Sequence, residues 1–329
     1  MRSGPIRDGD PSSPPAGVRR LGTPPLFCGR DRACAPVPDP MTTRTLAPLG
    51  ALLLLFSPLT GCDSDGTSSE PAMLRLDVEA MAGDDAFAPG EAFAVNGTTG
   101  HLDRARLIVS GITLLHEDGR EIRVLADDPV TVRARDENEA EIQQTIDERY
   151  VYVDLSAGAT PTMLGEVPSG RYTGARFLLG VDGLDNRIAP EDLPATHPLA
   201  LASAATMHWN WNAGFVFLMM DGLLDIDGDG AVDASTGTPR DPASGQWRLH
   251  VGGTANAQTV TLDQGFELEG GTMQDLHVQF NLARLVQGLD LSDASNRWCM
   301  TGGCQGVVDA AKTNARAAFT LHGIHHHEM

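Results

Sequence analysis

The sequence predicts an all-β protein, an antiparallel β-sandwich with a short C-terminal helix. Three observations point there. Apolar residues alternate with polar ones or gather in short blocks, turn residues separate those blocks, and a sustained helical period occurs only near the C-terminus.

The elements follow in order. Leu74, Leu76 and Val78 alternate with charged residues, which is the two-residue period of a half-buried strand. Residues 104–115 and 121–125 flank His116-Glu117-Asp118-Gly119, whose Asp-Gly step signals a hairpin. Residues 149–155 and 171–181 predict two more strands, the second entered through Pro168-Ser169-Gly170. The segment 207–222 comes next, followed by 246–251, 259–268 and 274–280. Val307, Ala310, Ala311, Ala315, Ala318 and Phe319 then recur at helical spacing and predict one helix over 306–321.

The N-terminal part reads differently. Residues 1–40 are rich in Pro, Gly and Arg and are expected to be an extension upstream of the true start at Met41. Residues 41–61 have the order of a secretory signal, with Arg44, an apolar run over 46–59, and then Leu59-Thr60-Gly61-Cys62. Pro48 and Pro58 interrupt that run, which is too short to span a bilayer. The cysteine stands where a lipobox places the acylated residue, so Cys62 is the expected lipidation site. Residues 62–72 form a flexible polar tether and 73–329 the folded domain. The expected location is periplasmic or cell-surface, with the lipid anchor as the sole tie to a membrane.

Charge narrows the partners. The chain holds 44 acidic and 24 basic residues, a formal net charge of −20, and Lys312 is its single lysine. Such a surface repels nucleic acid and anionic headgroups, keeps the protein soluble, and favours cations. Cys299 and Cys304 flank Gly302-Gly303, and in an exported protein they predict a small disulfide loop. There is no Cys-x-x-Cys-His for covalent haem, and no nucleophile elbow, His-Glu-x-x-His or phosphate loop. The chain is therefore read as a binding protein and not an enzyme.

Metal chemistry is the strongest functional signal. All ten histidines lie beyond residue 100, and imidazole is the protein ligand that copper and zinc prefer over carboxylate. His208 and His250 fall on predicted core strands beside tryptophans, where an unpaired ring costs a few kcal/mol unless bonded. Trp209 and Trp211 are spaced to project from one strand face, with His208 and Asn210 on the other. A site on the His208 face must then draw on His250, His277 or His101; these four are the candidate copper ligands, against the alternative of structural, hydrogen-bonded histidines. The terminus His322-Gly323-Ile324-His325-His326-His327 is a second place for divalent metal, or an incidental tail. Asp225, Asp227, Asp229 and Asp233 occupy positions 1, 3, 5 and 9 of a calcium loop, with Gly230 at position 6. Thr236 replaces the usual glutamate at position 12, which predicts weak calcium binding.

Three blocks together resemble the MbnP family. They are Gly170-Arg171-Tyr172 running on to Phe177-Leu178-Leu179-Gly180-Val181, then Met207-His208-Trp209-Asn210-Trp211 through Gly214-Phe215-Val216-Phe217, and Leu249-His250-Val251-Gly252. The resemblance runs from about Leu74 towards the C-terminus. It implies an exported β-sandwich that binds copper for acquisition or delivery, alongside a di-haem cytochrome c peroxidase-like partner. That partner is implied to oxidise a tryptophan to kynurenine, and the matching positions are Trp209 and Trp211, with His250 the matching histidine. Two positions depart from the pattern. Gly252-Gly253-Thr254-Ala255 stands where the four-cysteine version has cysteines, and Asn186-Arg187 stands where an Asn-His is often found. The rival reading, from the residues alone, is a structural or interaction lipoprotein whose calcium loop stiffens one edge.

Overall fold

The computed structural model describes residues 70–158, 160–300 and 303–327. The expected extension 1–40, the signal 41–61, the lipidation site Cys62 and the tether up to residue 69 lie outside the described residues.

In chain order the elements are strands β1 (Ala72–Ala82), β2 (Asp85–Ala86), β3 (Ala92–Val95), β4 (Thr98–His116), β5 (Glu121–Arg123), β6 (Leu125–Arg135) and β7 (Glu141–Glu148). Then come β8 (Val151–Asp154), β9 (Thr162–Val167), β10 (Gly170–Leu179), helix α1 (Leu201–Ala204), β11 (His208–Asn210) and β12 (Gly214–Leu224). The last third holds β13 (Gln246–Gly252), β14 (Gln258–Leu262), β15 (Phe266–Leu268), β16 (Met273–Asn281), α2 (Leu282–Val286), β17 (Trp298–Met300), α3 (Gln305–Ala318) and β18 (Phe319–His327).

These make an all-β, sandwich-like fold. The smaller sheet runs β18-β16-β1-β2, with β9 also on β1; the larger runs β14-β10-β4-β12-β13-β17 with short strands attached, and β6 and β7 form a separate hairpin. One continuous apolar cluster draws on both sheets, including Leu74, Leu76 and Val278 from the smaller and Leu107, Phe217 and Val251 from the larger. Each fully buried side chain of this size contributes about 1.5–3 kcal/mol of transfer free energy.

Residue pattern explains the burial. In β1, buried and half-buried residues alternate strictly along most of its length, as the period of two requires. Ten of the eleven residues of β12 are buried, because this strand is central, with β4 on one side and β13 on the other. Among the described residues the pairing is antiparallel except at two places: β1 runs parallel to β16, and β13 parallel to β17. A disulfide joins Cys299 to Cys304, with Cα atoms 5.2 Å apart.

The C-terminal helix exists but stops early. The sequence period extends it to residue 321, whereas α3 ends at Ala318 and Phe319 opens strand β18. Phe319 and Leu321 are both buried in the strand that forms, a spacing of two that a strand face satisfies and a helix face does not. The histidine-rich terminus is therefore an edge strand of the smaller sheet, paired antiparallel to β16.

Candidate metal centre

His250 sits on β13 and is 6% exposed. Its register partners are Met219 on β12 and Met300 on β17. Residues directly opposite across neighbouring strands share a face, with Cβ atoms about 4.5–5.5 Å apart in antiparallel pairs. Met219, His250 and Met300 thus form one row of two thioethers and an imidazole. The adjacent row carries Asp221, whose Oδ1 lies 2.8 Å from His250 Nε2 in a buried hydrogen bond. Burial alone would raise the Asp221 carboxyl. The hydrogen bond from His250 and the charges of His250, Arg248 and Arg104 outweigh it and hold the group below its ordinary value. Arg248 Nε lies 3.5 Å and Arg104 Nη1 3.6 Å from this carboxylate, and the Arg248 guanidinium also covers the Trp298 ring at 4.3 Å. An ionised Asp221 places a proton on Nε2 of His250 and leaves Nδ1 as the nitrogen that can face a metal ion, the usual arrangement behind a metal-bound imidazole.

The two tryptophans part company. β11 ends at Asn210, and Trp211 begins the turn Trp211–Ala213 into β12, so the two rings do not share a strand face. The register also shifts between His208 and Asn210. Trp209 lies over Gly252 of β13: a Cβ there would meet its ring at 2.9 Å and the Phe215 carbonyl closer still, so only glycine fits beneath the indole. Gly252 is two residues from His250 and shares its face of the strand. Trp211 instead lies under two guanidinium groups, Arg135 at 4.9 Å and Arg133 at 5.4 Å.

His208 tilts against Phe215, with ring centroids 4.8 Å apart, and its Nε2 is buried without a hydrogen-bond partner. Burial lowers its pKa, with Glu191 acting weakly the other way. Asn186, 3% exposed, accepts from the Phe215 amide at 2.9 Å and donates to Thr254 Oγ1 at 3.1 Å, so it fixes the entrance to β12. Arg187, where the resemblance would place a histidine, donates instead to the Asp136 carbonyl at 2.6 Å.

The other predicted ligands lie elsewhere. His101, on β4, bonds Asp103 Oδ1 at 2.8 Å through Nε2, while its Nδ1 is buried and unpartnered. His277 belongs to β16 in the smaller sheet, with Nδ1 3.0 Å from His325 Nε2. Among the described residues, no three of His250, His208, His277 and His101 bring ligand atoms within 4.8 Å of one another; His277, His322 and His325 do. Asp225, Asp227 and Asp229 form the second such group. The Asp225 carboxylate accepts from the amides of Gly228 at 2.7 Å and Gly230 at 2.9 Å, while Asp233 accepts from Ile226 at 2.8 Å, which closes the acidic loop. Met219, Met300 and Asp221 carry no signal in the sequence, because only the register of strands distant in the chain sets them around His250.

Fold and sites together define an all-β sandwich with grouped donors for soft and borderline metals. The pattern of the MbnP family matches residues 71–301, and the chain belongs to that family, a copper-associated one. It is similar to the solved structure of MbnP from Methylosinus trichosporium at 20% identity, covering 79% of this chain and 100% of that one, with a TM-score of 0.47. No curated protein matches the chain. Among the described residues no helix is long and apolar enough to cross a membrane.

Proposed function

We propose that this protein binds copper outside the cytoplasm, for acquisition or delivery, through the row centred on His250. The observation that carries the reading is the donor set. Thioethers from Met219 and Met300 flank an imidazole whose far nitrogen is held by Asp221. Two soft sulfurs and one imidazole suit Cu(I), and a methionine 2% exposed keeps water from at least one side. Copper here is cargo, and the protein is not an enzyme. Cys62 is the lipid anchor that keeps it at the periplasmic or outer surface. The partner is a di-haem cytochrome c peroxidase-like protein that oxidises Trp209. Arg133 and Arg135 disfavour removing an electron from Trp211, whereas Trp209 lies on the His250 side of β13.

Copper per chain after periplasmic expression tests this. Wild type retains more copper per chain than His250→Ala; equal retention by both overturns the reading. A second reading, a structural lipoprotein with a calcium-clipped edge, has one observation in its favour, the convergence of Asp225, Asp227 and Asp229. Binding to the native state alone raises stability by RT ln(1 + [L]/Kd). A copper-induced rise in melting temperature that His250→Ala abolishes supports the first reading; a rise with calcium and none with copper supports the second.

A further inference from the structure

We infer that the smaller sheet carries a second metal site, formed by His277, His322 and His325 and built for an exchangeable borderline divalent cation of the zinc or copper(II) type. His322 and His325 lie beyond residue 301, where the match to the family ends, and none of the three belongs to the His250 row. The site therefore stands or falls independently of the copper reading.

The construction depends on one irregularity. Residues three apart on a regular strand face opposite ways, so His322 and His325 should be separated by the sheet. Across β16 and β18, however, His277 pairs with Gly323 while the next residue, Val278, pairs with Leu321. His322 is the extra residue of a β-bulge, which re-aims side chains locally. Gly323 supplies the backbone for it with φ at +149°, a conformation that other residues rarely adopt. The bulge brings His322 round to the side of His277 and His325. Ring centroids are 4.3 Å apart for His277–His325, 5.1 Å for His277–His322 and 6.2 Å for His322–His325. One nitrogen from each ring falls within 4.8 Å of the other two, a separation that three ligands of one ion can close with small side-chain rotations.

The surroundings fit a ligand role. His277 is 8% exposed and rigidly held, whereas His322 and His325 are exposed, so the site opens to solvent for loading and release. Glu79 Oε2 lies 3.2 Å from His277 Nε2, without the alignment of a hydrogen bond, and Gln279 fixes that carboxylate from 3.0 Å. A carboxylate on this side favours Nε2–H and leaves Nδ1 as the lone pair facing His325. The 3.0 Å contact between His277 Nδ1 and His325 Nε2 then needs one proton between two nitrogens. When a cation enters, that proton shifts to Nδ1 of His325, so that Nε2 offers its lone pair and the ring stays neutral. Three neutral imidazoles with no thiolate select zinc or copper(II) over calcium and magnesium. Asp77, the register partner of His277, adds a buried carboxylate oxygen without a hydrogen-bond partner next to the site.

Equilibrium dialysis of the full chain against zinc chloride, with excess calcium to fill the acidic loop, tests the proposal. Wild type is expected to hold one zinc more than either His322→Ala or His325→Ala, with at least ~10-fold weaker binding in those variants. His326→Ala, an exposed neighbour outside the trio, retains the wild-type value. Both altered positions are exposed, and circular dichroism confirms that the variants fold. Equal zinc in wild type and in both variants overturns the site. So does a loss that follows His326→Ala as strongly, which reveals adventitious binding by the tail.

Discussion

Asp221 holds His250 by its Nε2 at 2.8 Å, from the neighbouring strand and inside the larger sheet. The carboxylate sets which imidazole nitrogen carries the proton, so its charge controls the ligand without touching the ion. Asp221→Asn is expected to weaken Cu(I) binding by about 10–100-fold while leaving Met219 and Met300 in place. Competition with a Cu(I) chelator reads this directly, and unchanged affinity removes Asp221 from the site. The acid behaviour follows from the same pair. The Asp221 carboxyl is held below its ordinary value of 3.8, so its stabilising contribution is complete above that value and is lost as pH falls through the lower folded value.

Gly252 is the seat of Trp209. Gly252→Ala drives a methyl group against the Phe215 carbonyl, the Val216 Cα and the indole. Overpacking of this kind costs typically ~1–3 kcal/mol, and the displaced indole should shift its fluorescence to longer wavelength. A variant that melts and fluoresces like wild type contradicts the packing described here.

His208 and His197 make the fold acid-sensitive above the carboxylate range. Burial lowers both below the ordinary 6.5, so the unfolded chain takes up protons first. Stability is full above pH 6.5 and declines as pH falls towards the lower folded values, by at most ~1.4 kcal/mol per pH unit for each ring. His208→Gln is expected to flatten that decline between pH 6.5 and 5 in urea titrations. An equal slope in the variant excludes His208 as the source.

The two tryptophans should differ in reactivity. Native expression beside the peroxidase-like partner is expected to yield an oxidised residue in wild type and in Trp211→Phe, but none in Trp209→Phe. Peptide mass spectrometry distinguishes these outcomes, and modification that persists in Trp209→Phe assigns it elsewhere.

Calcium should act on one loop only. Asp225 binds two amides through its two oxygens, so Asp225→Ala loosens the loop as well as removing a ligand. Calcium at ten times Kd is expected to stabilise wild type by ~1.4 kcal/mol, and the variant not at all. Thermal melts with and without calcium decide it.

Much of the architecture can be read from the residues alone. Leu74, Leu76 and Val78 announce β1 by alternation, and the apolar block from Gly214 announces a central strand. Local period carries no information about partners, so the parallel pairing of β1 with β16 and of β13 with β17 is invisible before folding. For the same reason His250 stands out as a candidate ligand in the sequence while Met219, Met300 and Asp221 do not. Trp209 and Trp211 mislead because the period of two assumes a strand through both, and the chain turns at Trp211. The spacing of His322 and His325 misleads in the opposite sense, since a bulge overrides the alternation that would separate them.

The parallel union of β1 with β16 has a consequence for how the molecule comes into being. A chain emerging N-terminus first can give β1 its partners β2 and β9 early, but its other edge stays bare until residues 273–281 arrive. Those residues must in turn be joined by the terminal strand. Assembly of the smaller sheet thus waits until residues 273–327 have been made, because its pairing joins segments far apart in sequence. A truncation that removes 273–327 would leave an open strand margin, the kind of surface that chaperones bind and aggregates grow from.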